Sequence, residues 1–408
     1  MCKHFNRSFL CFLLKKKLRK LLKIAIKNNY YKNYRVLIIC TNLQKDIEKK
    51  VKLYKGKVLK SISSCNCVCA YVSSRAIERL LEYPQVIYIC LDPYAYICGN
   101  SVCASNNVTI SERYSLTGEN IGIGVVDTGV YPHTDLINPN NRIKSFLDLI
   151  NNYNYPYDDN GHGTFVSGII AGNGTLSDGL YKGISPKSHL CVVKAFNELG
   201  KGFISDILFG IENLINVKEE FNIKIICLPF EVPYINYNVL DLFSKIFNIA
   251  LNNNIIIIVP SGHNGNSEGS IQGIATLRSC ITVGGIDTTS LEKKPYIYSS
   301  SGPFSNIEKP DLAAAAVNIC SLNSNTDYIS EKMGRKIYPK PLEEAYTNFT
   351  GTSCAAAYVS GVCSLLFENN QELLFKDILS LMKVSCSLLP FSKWIQGAGI
   401  IDINKLLP

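Results

Sequence analysis

From Asn120 onward the chain alternates two kinds of segment, and that alternation limits the folds open to it. "NIGIGVVD", "HLCVVKAF", "NIKIICL", "NIIIIV" and "CITVGGI" are near-continuous apolar runs of strand length. Among them lie "GTFVSGIIAG", "ISDILFGIENLINVKEE" and "YNVLDLFSKIFNIALNN". The second of these has apolar residues at 204, 207, 208, 211, 214 and 215, one face of a helix. A strand that is apolar on both sides must be covered on both sides. The pattern therefore predicts an α/β fold, a parallel sheet with helices on both faces. In such sheets polar residues at the carboxyl ends of the strands form the ligand crevice.

Residues 34–93 have a different rhythm. "YRVLIICT" reads as a strand, "LQKDIEKKVKLY" as a helix, and "KVLKSISSCNCVCAYVS" as one or two strands. "SSRAIERLLEYP" is a second helix capped by Ser73 or Ser74, and "VIYICLDPY" a last strand. This βαββαβ order predicts a small ferredoxin-like α+β unit. Residues 94–116 hold turn formers and no sustained period, the pattern of a linker. The expected organisation is a basic arm (1–33), a small α+β domain (34–97), a linker (98–116) and a main domain (117–408).

The net charge of +9 belongs to the amino-terminal end. Residues 1–60 hold 18 Lys and Arg against Asp46 and Glu48, whereas the rest of the chain carries 24 basic and 31 acidic groups. Charge thus gives no argument for nucleic-acid binding by the main domain; the arm reads as a solvated basic face, or as a segment drawn to an anionic surface. The apolar run Phe9 to Leu14 is too short for an export signal and far too short to span a bilayer. A cytoplasmic protein with a basic amphipathic helix is expected, and no transmembrane segment. Most of the 16 cysteines lie inside apolar strands or helices, as reduced thiols would. "CNCVC", Cys65 to Cys69, would place three thiols on one face of a strand and lacks the paired spacing of a zinc site.

Three stretches carry chemistry: "VVDTGVYPHTDL" with Asp127 at a strand end, "DDNGHGTFVSG" with His162 at a helix start, and "FTGTSCAAAYVSG" with Ser353 at another. A serine hydroxyl attacks a carbonyl only when an imidazole takes its proton, and the imidazole needs a carboxylate to fix its tautomer. A helix start supplies N–H groups where an oxyanion develops. Each stretch is weak alone. Together, in the order Asp, His, Ser on a parallel α/β chain, they are specific.

These motifs resemble those of the subtilases, the subtilisin-like serine peptidases, over roughly residues 110–405. "GAGIIDINKLL" is similar to the family's carboxyl-terminal signature, and "DTGVYPHTDL" and "PYDDNGHGT" look most like the cytoplasmic subtilases of spore-forming bacteria. The resemblance implies Asp127 as orienting carboxylate, His162 as general base and Ser353 as nucleophile. It also implies that the small domain is an inhibitor-type prodomain, an intramolecular partner removed by a cut between Tyr94 and Asn107. The substrate would be a peptide or protein, bound by strand addition. No cofactor is required. Calcium sites are common in the family, and acidic loop residues such as Asp178 or Asp148 would be the ligands, although no calcium-loop pattern is present. With neither paired His spacing nor an H-E-x-x-H motif, no catalytic metal is expected.

The departures concern the oxyanion and the substrate. Counting back from Ile281, "VPSGHNGN" puts His263 where the family has the asparagine that donates to the oxyanion, with Asn264 one residue later. Loss of one such donor costs about 10²–10³ in turnover. His263 can donate from its ring and would add a pH dependence; a one-residue shift can bring in Asn264; or the hole is poor. The segment expected to pair with substrate reads Leu228-Pro229-Phe230, where the proline lacks an N–H. Crevice walls are expected from 200–203, 228–231 and 260–263, including Pro260, Ser261 and Gly262. The bulk of Phe230 suggests small or extended substrate side chains. The reading is a serine endopeptidase made as an autoprocessed zymogen; the alternative is a weak or inactive subtilase scaffold acting as a binding or regulatory protein.

Overall fold

The computed structural model describes residues 17–28, 31–41, 44–62, 66–92, 102–106, 108, 116–232 and 237–407. The chain forms two compact units, Met1–Ile97 and Cys98–Pro408.

In the first unit, α1 (Lys20–Lys27) precedes β1 (Tyr34–Cys40), α2 (Gln44–Leu53), β2 (Lys57–Ile62), β3 (Cys67–Val72), α3 (Ser74–Leu81) and β4 (Val86–Leu91). The strands form an antiparallel sheet in the order β2-β3-β1-β4. The Ser73 hydroxyl caps α3 by accepting from Ala76 N at 3.3 Å. Val36, Ile38, Val68 and Ala70 of the sheet pack against Ile47, Val51, Ile77 and Leu80 of the helices. Leu22 and Ala25 of α1 join this core, so the apolar stripe of the basic segment is used in packing. Residues 1–16 of the arm lie outside the described residues, as does most of the stretch expected to be cut. Cys67 and Cys69 alternate with Val68 and Ala70 and so take the opposite face of β3. The Cys69 thiol donates to Asp92 at 3.2 Å. Cys65 lies outside the described residues, and no disulfide joins the described cysteines.

The second unit begins with the helical turn α4 (Val102–Ser105). It continues through β5 (Gly122–Asp127), α5 (Thr134–Ile137), β6 (Ile143–Asp148), α6 (His162–Ala171), β7 (His189–Lys194), α7 (Ile204–Asn216), β8 (Ile223–Cys227), α8 (Tyr237–Asn252), β9 (Ile256–Pro260) and β10 (Ile281–Asp287). Short strands follow: β11 (Lys294–Pro295), β12 (Leu312–Ala315), β13 (Ile319–Leu322), β14 (Glu331–Lys332), β15 (Arg335–Lys336) and β16 (Tyr346–Phe349). Then come α9 (Thr352–Asn369) and α10 (Phe375–Ser385). The main sheet runs β11-β10-β9-β8-β5-β7-β6 with β12 beside β10, parallel except for β11.

Alternating strand residues feed two cores. Ile123, Val125, Ile256 and Ile258 meet Val166 of α6 and Ala355 and Val359 of α9 on one face. Val126, Ile257 and Val259 meet Ile207 and Ile211 of α7 and Phe243 and Phe247 of α8 on the other. Double coverage is the physical reason that these strands are apolar throughout. Residues 352–367 of α9 are all buried, which explains a helix apolar on every side.

The sheet order places β6 and β7 on one side of β5 and β8 to β10 on the other. The chain changes direction at β5, so a crevice opens beyond its carboxyl end, where Asp127 sits. One segment differs from its expected character. Within the stretch expected as linker, Val102 and Ser105 are buried, and Asn106 Oδ1 accepts from Ala315 N at 3.0 Å. A single helical turn is too short to show periodicity. The stretch 323–348 carries the β14–β15 hairpin and is anchored by Tyr328, which packs with Tyr131 and Tyr157. Among the described residues, no helix is long and apolar enough to cross a membrane.

Candidate active site

Asp127, the last residue of β5, is 3% exposed. Its two carboxylate oxygens lie 2.8 and 2.9 Å from His162 Nδ1. On the other side of the ring, Nε2 is 3.1 Å from Ser353 Oγ. Nδ1–H donates to the carboxylate in this arrangement, which leaves Nε2 to accept from the serine hydroxyl. His162 opens α6 and Ser353 is the second residue of α9, so two helix starts converge on one strand end. Burial pushes the His162 imidazole pKa down, but the charge and hydrogen bond of Asp127 push it up, with a smaller push from Asp158; the net shift is upward.

Glycine is required where the D-T-G turn meets the H-G-T helix. A Cβ on Gly163 would collide with Gly129 O, and Gly129 itself has φ 119°, where a Cβ would collide with Tyr157 O. Gly163 N donates to Thr128 Oγ1 at 2.9 Å, and that hydroxyl donates to Asp158 at 2.9 Å. Asp158 is fully buried and also accepts from Asn160 N, Gly161 N, Thr164 N and Thr164 Oγ1. One carboxylate thus ties the Asp127 turn to the helix start that carries His162. Below it, the fully buried ammonium of Lys194 bonds Thr128 O at 2.6 Å, Asp159 at 2.5 Å and Phe196 O at 3.0 Å. The Phe349 ring meets His162 edge-on at 5.5 Å and packs on Phe165 at 5.7 Å. The sequence reading assigned no role to Asp158, Lys194 or Phe349. An acidic residue just before a helix start was a usable signal for Asp158. Lys194, a lysine ending an apolar strand, offered only a weak one.

Parallel pairing of β8 with β9 sets their exits side by side, 228–231 and 260–263. Thr352 Oγ1 bonds Gly262 O at 3.3 Å, which brings the 260–263 turn against the start of α9. Leu228 and Ser261 have fully buried side chains, so these two positions offer substrate only backbone atoms. Pro229, Pro260 and Gly262 are also buried, and Gly262 adopts φ 105°. The half-buried Phe230 ring leans on Phe196 at 5.0 Å. In the 200–203 segment Phe203 is exposed.

His263 and Asn264 are exposed. The His263 ring stacks on Tyr298 at 4.8 Å and 14°, and its Nδ1 is 3.4 Å from Tyr296 Oη. Its backbone N donates to Glu231 Oε2 at 2.9 Å, and Asn264 N donates to Ser300 Oγ at 2.8 Å. Two other histidines are structural. His133 caps α5 by accepting from Asp135 N at Nδ1, its Nε2–H donates to Ala345 O, and burial holds its pKa below the ordinary value. His189 Nε2 bonds Phe221 O at 2.6 Å. The Asp148 carboxylate accepts from Ile150 N, Asn151 N, Tyr153 N and Tyr157 Oη, whereas Asp178 is exposed. Among the described residues no group of three His, Cys, Asp or Glu side chains is gathered as a metal-ligand set.

This parallel sheet with helices on both faces is the fold of subtilisin-like serine peptidases. Sphericase shares the fold, with a TM-score of 0.60 at 21% identity over 74% of this chain and 96% of that one. The model of the subtilase family matches residues 118–387, and the chain belongs to that family, as a serine endopeptidase of subtilase type. It is 30% identical to serine protease AprX of Bacillus subtilis (strain 168), over 90% of this chain and 83% of that protein. Subtilisin E of the same organism is 24% identical over 86% of this chain and 82% of its own length.

Proposed function

We propose that Asp127, His162 and Ser353 form the triad of this endopeptidase and that the chain is an autoprocessed zymogen. The hydrogen-bonded line from Asp127 through His162 to Ser353 carries the reading. Ser353 Oγ attacks a peptide carbonyl while His162 Nε2 takes its proton. The imidazolium, held by Asp127, then protonates the departing amine, and water hydrolyses the acyl-enzyme by the same route. The start of α9 offers backbone N–H groups to the oxyanion, with His263 or Asn264 as the second donor. The 34–97 unit acts as an intramolecular inhibitor until it is cut away. The buried cysteine thiols suit a reducing compartment such as the cytoplasm.

A second reading, a weak or inactive scaffold that binds rather than cleaves, draws on His263. One of its ring nitrogens already faces Tyr296, and its ring is packed on Tyr298. Expression of the wild type beside Ser353→Ala separates the two. Loss of the amino-terminal unit and labelling by a fluorophosphonate in the wild type alone support the zymogen. Absence of both sinks it. His263→Asn then raises turnover if the imidazole is the poorer donor, and leaves it unchanged if His263 is outside the hole.

A further inference from the structure

We infer that Glu231 selects a lysine or arginine side chain on the residue that donates the scissile carbonyl; this rests on the endopeptidase reading above. The segments leaving β8 and β9 run side by side, and the bond from Thr352 to Gly262 sets the 260–263 turn against the helix start that carries Ser353. Glu231 links the two segments. It belongs to 228–231 and reaches the other segment, where Oε2 accepts from His263 N at 2.9 Å. The same oxygen would lie 2.9 Å from a Cβ on Gly262, so the glycine is what leaves room for it. Glu231 is exposed, and no lysine or arginine among the described residues pairs with it. A backbone N–H solvates a carboxylate without cancelling its charge, so an anion with no cationic partner stands beside these segments.

The residues just before Glu231 in the chain are apolar. Pro229 is buried, and the Phe230 ring is held against Phe196. On this inference the half-buried Phe230 ring flanks the bound side chain, and its bulk does not exclude a long one. An apolar surface beside a carboxylate fits a side chain with an aliphatic stem and a cationic head. Small side chains would leave the carboxylate without a partner, and acidic ones would meet it with like charge.

The test uses internally quenched peptides that differ only in this one residue (Lys, Arg, Leu or Glu), cleaved by the processed enzyme. The wild type is expected to favour Lys and Arg over Leu, with Glu last. Glu231→Gln lowers the ratio of kcat/KM for Lys over Leu about tenfold, the worth of a charge-assisted hydrogen bond. Glu231→Arg inverts the order so that Glu leads. Equal loss on every peptide with Glu231→Gln, or a wild type indifferent to charge, overturns the inference and leaves Glu231 as a brace for the 262–263 turn. If no peptide is cleaved, the endopeptidase reading fails separately. Binding of the same labelled peptides to Ser353→Ala, followed by fluorescence anisotropy, then decides Glu231: a Lys-over-Glu preference lost in Ser353→Ala/Glu231→Gln supports it, and equal binding overturns it.

Discussion

Removal of the Asp158 carboxylate, as in Asp158→Ala, should uncouple the His162 helix start from the Asp127 turn. Five donors converge on this side chain: Thr128 Oγ1, Asn160 N, Gly161 N, Thr164 N and Thr164 Oγ1. The two hydroxyls can rotate to other acceptors, and Asn160 is exposed, so its N–H can turn to water. The remaining orphans are the buried Thr164 N and the half-buried Gly161 N. At about 1–3 kcal/mol for each buried donor left unmade, the loss is about 3 kcal/mol once the burial cost of the missing charge is credited back. For a unit the size of Cys98–Pro408 that lowers Tm by about 4–5 °C. Scanning calorimetry on the Ser353→Ala background, where self-digestion cannot intrude, measures it. Activity should fall further than stability, about 100-fold in kcat/KM, because an ångström of drift in His162 breaks its line to Ser353. Thr164→Ser keeps the bonds of Thr164 Oγ1 to Asp158 and from Tyr131 N and should stay close to the parent. For Asp158→Ala, a Tm within 2 °C of the parent together with kcat/KM within about threefold would refute the role given to this carboxylate.

The acid limb of kcat/KM reports His162. The base works as neutral imidazole, so activity falls as pH falls through the folded pKa, and the upward net shift puts the midpoint above the free value of about 6.5; a midpoint at or below that value contradicts it. The same raised pKa stabilises the fold fully below about 6.5 and loses that contribution as pH rises through the folded value, which urea titration against pH can follow. Lys194→Met strands Asp159 and Thr128 O without their ammonium. Because Asp159 keeps some solvent, about 2–3 kcal/mol should be lost, at the low end for a broken buried pair, and an unchanged denaturant midpoint would show that the pair contributes nothing. Asn106→Ala leaves Ala315 N without its acceptor, so hydrogen exchange at that amide should accelerate while amides in β5 keep their protection. Equal rates at Ala315 would mean that α4 does not secure the edge of β12.

Much of this protein is written locally in its chain. The doubly covered strands follow from runs such as "IIIIV", since only a strand buried on both faces can be apolar at every position. Asp127, His162 and Ser353 were legible because each sits in a motif whose glycines and neighbours serve a nearby backbone need. The positions that hold this site together were not. Asp158 and Lys194 gain their meaning from partners that the β5 switch point brings across the sheet. Glu231 looked like one more loop carboxylate until pairing of β8 with β9 carried it across to His263. Val102–Ser105 is a single turn with no period to betray it, and only the folded unit gives Val102 its place in the core. Periodicity and capping act over a few residues, so a sequence displays them directly. Hydrogen bonds between distant segments exist only after the strands have found their order, and it was that order which decided what His263, Phe230 and Glu231 face.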